Sequence, residues 1–174
     1  MFSAYDRLGD FESADQLLKQ MPDKNDFKTV LRIFKSMQAA QVAPTQLTVV
    51  SVLGACAETG AFDLGREVHG FLMEKEIEIQ GFVGNALVDM YVKCRNLKLA
   101  QEVFDMMSLK HVTCWNSMIV AFAIHGLLDE AYKVIKEMPV GPNSVLWKTL
   151  MAACKVHDNA ELAEAVFREI AMLE

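Results

Sequence analysis

The sequence predicts an all-α fold, an α-α superhelical solenoid of antiparallel helix-pair repeats stacked side by side. Three observations lead there. The stretch Val83 to Met107, VGNALVDMYVKCRNLKLAQEVFDMM, reads as two short helices joined by a tight break, and the pattern recurs from Cys114 to Met138 and from Leu146 to Ile170. Equivalent residues keep a fixed spacing: Asn85 and Asn116 are 31 apart, Trp115 and Trp147 are 32 apart, and Ala100, Ala131 and Ala163 follow at 31 and 32. Such a period marks a repeat architecture, in which helix pairs too small to bury their own apolar faces stack into one continuous core. Composition agrees, since 52% hydrophobic residues with 11 Met and 10 Phe among 174 residues suit irregular helix packing rather than disorder.

Taken in order, residues 1–25 read as a partial repeat. A helix ends over residues 3–8, Gly9-Asp10 is the break, and Phe11, Ala14, Leu17 and Leu18 lie at helical spacing until Pro22 stops the run. Residues 26–45 read as a half repeat, the second helix only, over 27–40. Val30, Leu31, Phe34 and Met37 share one face there, and the first helix that should precede it is absent between Asn25 and Phe27. An apolar stripe of this kind needs cover, so the helix is expected to pack on the edge of the following stack.

Residues 46–80 form a complete 35-residue repeat, with Gly60 as the break between helices over Leu47 to Glu58 and Phe62 to Glu74. Residues 81–111 form a 31-residue repeat in which Arg95-Asn96 replaces glycine, and Asn is expected to supply left-handed backbone there. Residues 112–143 follow, with Gly126 as the break and Pro139 and Pro142 beyond the second helix; 144–174 is the last pair, broken at Asp158-Asn159. Gly65, Ala100, Ala131 and Ala163 occupy one register. A small residue at that register implies a close crossing of the two helices within each unit.

Several function classes are excluded or disfavoured. A net charge of −6 argues against a nonspecific phosphate binder, while leaving room for a locally positive groove. Cys56, Cys94, Cys114 and Cys154 are far apart in apolar helical contexts. They read as buried free thiols, against the alternatives of a zinc site or a disulfide set. His69, His111, His125 and His157 show no metal spacing. No apolar run approaches the ~18 residues of a membrane span. The start, MFSAYDRLGDF, is neither a signal peptide nor an Arg-rich transit peptide and looks like the end of a helix begun upstream. The chain lacks the His-x-Glu and Pro-Cys-x-x-Cys motifs of a cytidine deaminase, a glycine loop with its phosphate-binding lysine, and any nucleophile–base pair. It therefore reads as a non-enzyme with no catalytic residue and no cofactor.

The quotable motifs are GNALVDMYVKC (84–94), AQEVFDMM (100–107), CWNSMI (114–119), HGLLDEAYKVIKEMP (125–139) and PNSVLWKTLMAACKVHDNAELAE (142–164). On these the chain resembles the plant pentatricopeptide repeat family. It is most similar to the subclass that alternates repeats of 35 and 31 residues and ends in an extension motif, here 144–174, apparently truncated. The unit 112–143 looks composite, its first half like a mid-array repeat and its second like the repeat before the extension motif. The resemblance implies a single-stranded RNA-binding module of an organellar RNA-processing factor, of the kind that serves C-to-U editing in mitochondria or chloroplasts. Each helix pair would meet one base, and the deaminase would come from another chain.

It also implies base-selecting pairs at the fifth and last residues of each repeat: Val50 with Gln80, Asn85 with His111, and Asn116 with Asn143. Asn carries both a donor and acceptors and can read a base edge, against its commoner use as a helix cap. Under the family's rule Asn85 and Asn116 imply pyrimidine preference, with His111 where Asp usually favours uracil. Lys93 and Lys155 are expected to line the inner face and contact the RNA backbone, and 144–174 is expected to attach a deaminase-bearing or accessory protein. Two other readings stand beside this one: a helical scaffold for protein partners, and a truncated product with no function of its own.

Overall fold

The structure, a computed structural model, describes residues 27–40 and 42–173; the partial repeat read over 1–25 and the missing helix before Phe27 lie outside them. Nine helices make up the described residues: α1 (Phe27–Ala39), α2 (Gln46–Thr59), α3 (Phe62–Glu74), α4 (Gly81–Lys93), α5 (Leu97–Met106), α6 (Val112–Ile124), α7 (Leu128–Glu137), α8 (Ser144–Val156) and α9 (Ala160–Ala171). From α2 onward they form four antiparallel pairs, α2–α3, α4–α5, α6–α7 and α8–α9.

Each pair turns through one left-handed residue followed by a helix start. Gly60 (φ 67°) and Gly126 (φ 75°) take this conformation in the first and third pairs, Arg95 (φ 60°) and Asp158 (φ 53°) in the second and fourth. Asn96 therefore does not supply the left-handed turn expected of it. It caps α5 instead, its Oδ1 accepting the Leu99 N–H at 3.1 Å, and Asn159 caps α9 through the Leu162 N–H at 3.0 Å. An Asn side chain satisfies a helix's unpaired N–H best from the N-cap, which fixes it one residue beyond the left-handed position. Ala61 and Leu127, at the matching places after glycine, make no such bond.

The first helices α2, α4, α6 and α8 pack on one another in sequence. Each second helix packs on its own first helix and, for α3, α5 and α7, on the next one, but second helices make no comparable contact with each other. The stack is therefore tighter on the first-helix side, and its inner face is the outer surface of α2, α4, α6 and α8. A single core cluster runs between the layers, from Val30 and Phe34 on α1 to Leu162 and Val166 on α9. Helix α1 lies against α2 with Val30, Phe34 and Met37 buried.

The register of small residues also needs correction. A Cβ built on Gly65 of α3 would lie 2.5 Å from Sδ of Met90, which belongs to α4 of the next pair. The close approach thus joins successive pairs rather than the helices of one pair. Exposure runs the same way: Ala100 and Ala131, within the stack, are fully buried, while Ala163 in the last pair is only half-buried. Trp115 and Trp147 are packing residues. Trp115 meets the Phe104 ring edge-on at 4.8 Å between centroids, and Trp147 lies 5.7 Å from Tyr132.

Candidate nucleic-acid interface

The inner face is built from residues that recur at i, i+3/i+4 and i+7 along each first helix, the spacing of one helical face. On α4 these are Phe82, Asn85, Asp89 and Lys93; on α6, Thr113, Asn116, Val120 and Ile124. They are exposed or half-buried, where the opposite face is core. Asn85 and Asn116 thus lie inside their helices and are not caps. The cap positions belong to Gln80 and His111, and neither side chain accepts a backbone N–H of its own helix; His111 Nδ1 lies 3.2 Å from the Thr113 hydroxyl in the first turn of α6. Gln80 Oε1 accepts the Leu109 N–H at 3.0 Å, tying the loop before α6 to the start of α4. The His111 ring stacks on Phe82 with centroids 6.4 Å apart and planes 30° apart.

Three of the sequence-predicted residues meet in one open cleft of about 360 Å3, where α2 contributes Val50, α4 contributes Asn85 and α6 begins at His111. Phe82, Ala86, Asp89, Thr113, Cys114 and Ser117 complete its walls. The amide oxygens of Asn85 and Asn116 are buried and have no hydrogen-bond partner. Buried acceptors of this kind are costly and usually satisfied, so both amides carry unmet hydrogen-bonding capacity. Burial pushes the Cys114 thiol up to about 12, which keeps that part of the wall neutral.

The other predicted residues lie elsewhere. Gln80 is not in the cleft with Val50. Asn143 caps α8, its Oδ1 accepting the Leu146 N–H at 3.1 Å. Lys155 does not line the inner face. It occupies the register of Ala57, Val92 and Ala123, which are buried or half-buried, and it lines a cavity between α8 and α9 on the end of the stack. Lys93 does lie on the inner face but is held by two carboxylates, Glu58 of α2 at 2.5 Å and Asp89 at 3.2 Å. The bond to Glu58, more than that to Asp89, holds its ammonium above the ordinary lysine range. The positive charge expected of Lys93 is neutralised, and toward α8 the face carries the exposed aliphatic side chains of Ile124 and Val156 beside the exposed Lys148.

Sequence reasoning missed both Phe82 and Asp89. Phe82 is 71% exposed, and a large aromatic at a register where helical periodicity calls for no core residue was the available signal.

The model of the pentatricopeptide repeat matches residues 1–26, 85–112, 113–140 and 145–172, more than half of the chain. The chain belongs to the pentatricopeptide repeat family. Among curated relatives, a pentatricopeptide repeat-containing protein of Arabidopsis thaliana is 40% identical over 124 residues, covering 70% of this chain and 24% of that protein. A mitochondrial one from the same plant is 36% identical over 132 residues, covering 74% of this chain and 24% of its own length. The chain thus spans about a quarter of the length of these relatives. Among solved structures, the pentatricopeptide repeat protein PPR10 from maize superposes with a TM-score of 0.71 at 21% identity, over 97% of this chain and 27% of that one. The pentatricopeptide repeat domain of Arabidopsis thaliana protein-only RNase P 1, in complex with tRNA, superposes with a TM-score of 0.75 at 14% identity, over 94% of this chain and 88% of that one. At these identities the likeness is one of fold. Among the described residues no group of three or more His, Cys, Asp or Glu could hold a metal ion, all four cysteines are free thiols, and no helix is long and apolar enough to cross a membrane.

Proposed function

We propose that this chain is a non-catalytic, single-stranded RNA-binding module of an organellar RNA-processing factor. The observation that carries this reading is the cleft across α2, α4 and α6. It brings Val50, Asn85 and His111 together beside the exposed Phe82 ring, with an unpartnered amide oxygen on Asn85. A flat apolar ring beside a polar reader suits an unstacked base, which needs a stacking partner and donors or acceptors for its edge. PPR10 from maize has been crystallised with an 18-nucleotide RNA element, and the fold shared with it supports the same class of ligand here. Relatives named mitochondrial and chloroplastic support an organellar setting.

Within this reading Asn85 with His111 is a base-selecting pair with pyrimidine preference, Asn116 belongs to the next one, and the 35 and 31 spacing supports membership of the editing-type subclass. A C-to-U editing role would draw its deaminase from another chain, attached through 144–174. Binding of short single-stranded RNAs, varied one base at a time, tests the selector assignment. Wild type should distinguish pyrimidine from purine at one position at least, and His111→Asp should move that preference toward uracil. Equal binding of all four bases at every position would remove the assignment. A second reading, a scaffold for a protein partner, rests on the exposed Ile124 and Val156 on the inner face of α6 and α8; it predicts no base dependence at all.

A further inference from the structure

We propose that Asp89 reads the bound base: its carboxylate accepts a hydrogen bond from an exocyclic amine, so the cleft selects cytosine over uracil. The inference rests on the RNA reading above and deepens it.

Asp89 stands four residues after Asn85 on α4, so the two side chains share a face with Cβ atoms about 5–6 Å apart, a span comparable with the hydrogen-bonding edge of a base. Both line the same cleft with His111. Asp89 is 40% exposed and reachable from solvent. Lys93 takes only its Oδ2, at 3.2 Å. A carboxylate has two oxygens and about four acceptor sites, so acceptor capacity remains for a ligand.

Opposite such an acceptor, cytosine presents an amine and uracil a carbonyl oxygen. The amine donates to the carboxylate, while the carbonyl sets acceptor against acceptor, so attraction and repulsion discriminate in the same direction. The same rule places adenine, which carries the amine, above guanine, which carries the carbonyl. Asn85 cannot make this distinction alone, because an amide can present its donor or its acceptor by rotating.

Anisotropy titrations at low salt decide it, with short single-stranded RNAs carrying cytosine, uracil or pyrimidin-2-one at one position in turn. Pyrimidin-2-one has neither amine nor carbonyl at carbon 4. At one position wild type should bind cytosine about tenfold more tightly than uracil, as a charge-assisted hydrogen bond allows, with pyrimidin-2-one between them. Asp89→Asn should bring the cytosine-to-uracil ratio to within about twofold, since an amide serves either base. Lys93→Met should keep the wild-type ratio whatever it does to total affinity, which separates base reading from release of the lysine. A wild-type protein with no cytosine-to-uracil difference, or a difference that persists in Asp89→Asn, overturns the proposal. Absence of binding by wild type and both variants overturns the RNA reading itself, and this inference with it.

Discussion

Arg95 and Asp158 adopt the left-handed backbone that Gly60 and Gly126 adopt freely, and a side chain there carries a steric cost of about 1–2 kcal/mol. The neighbouring Asn caps compensate. Arg95→Gly should therefore raise stability by about 0.5–1 kcal/mol, the gain reduced by glycine's greater freedom when unfolded. Asn96→Ala, one residue on, should lower it by about 1 kcal/mol. Urea denaturation of the two variants, with opposite signs expected at adjacent positions, checks the assignment. The sequence placed a break at Arg95-Asn96 but not which residue does which job. Asn suits both positions, and only the helix geometry gives it the cap. His69 offers a second test. Its Nδ1 lies 2.8 Å from the Tyr91 hydroxyl, and its Nε2 is buried without a partner. Burial holds its pKa below 6.5, with Glu102 acting weakly the other way. The unfolded chain thus binds the proton more readily, so the stability tied to neutral His69 is complete above pH 6.5 and lost as pH falls through the folded-state value. The urea midpoint should drop on acidification below pH 6.5, and His69→Gln should remove that part of the drop.

Pairs of helices meet where Gly65 admits Met90, and this contact belongs to the junction between successive pairs. Gly65→Leu should overpack the junction and cost about 1–3 kcal/mol in chemical denaturation. Adding Met90→Ala to that variant should recover part of the loss, while Met90→Ala alone destabilises by leaving a cavity. Periodicity revealed the small-residue register but could not tell which helix faces it, because both neighbours of α3 lie at similar distance along the chain. The Glu58–Lys93 bridge likewise joins α2 to α4 and could not be read from sequence, its partners being 35 residues apart. Glu58→Gln should remove one of the two carboxylates that hold the Lys93 ammonium and leave it net positive charge to offer a phosphate. RNA binding is then expected to strengthen severalfold at low salt, and the slope of log K against log salt to steepen by about 0.7, one single-strand contact. An unchanged slope would show that Lys93 stays clear of the RNA backbone.

Across the whole molecule, the all-helical repeat plan was legible because each unit restates the same apolar pattern. The inner-face cations were not, because burial between pairs and ion pairing depend on neighbours that a one-dimensional spacing does not identify. Lys155 looked like a groove residue from its place in the motif, yet the stack turns that register toward its end. With net charge −6 and Lys93 neutralised, RNA affinity of this chain should be roughly micromolar or weaker at physiological salt and fall further as salt rises. Nanomolar, salt-insensitive binding would contradict that electrostatic picture. Among the described residues, every substantial helix contact joins elements one or two places apart along the chain. Ordering each pair therefore closes only short loops, and the entropy lost before a contact forms stays small. Such a chain should fold quickly, and a nascent copy can dock each hairpin on the last as it leaves the ribosome, without waiting for a distant partner.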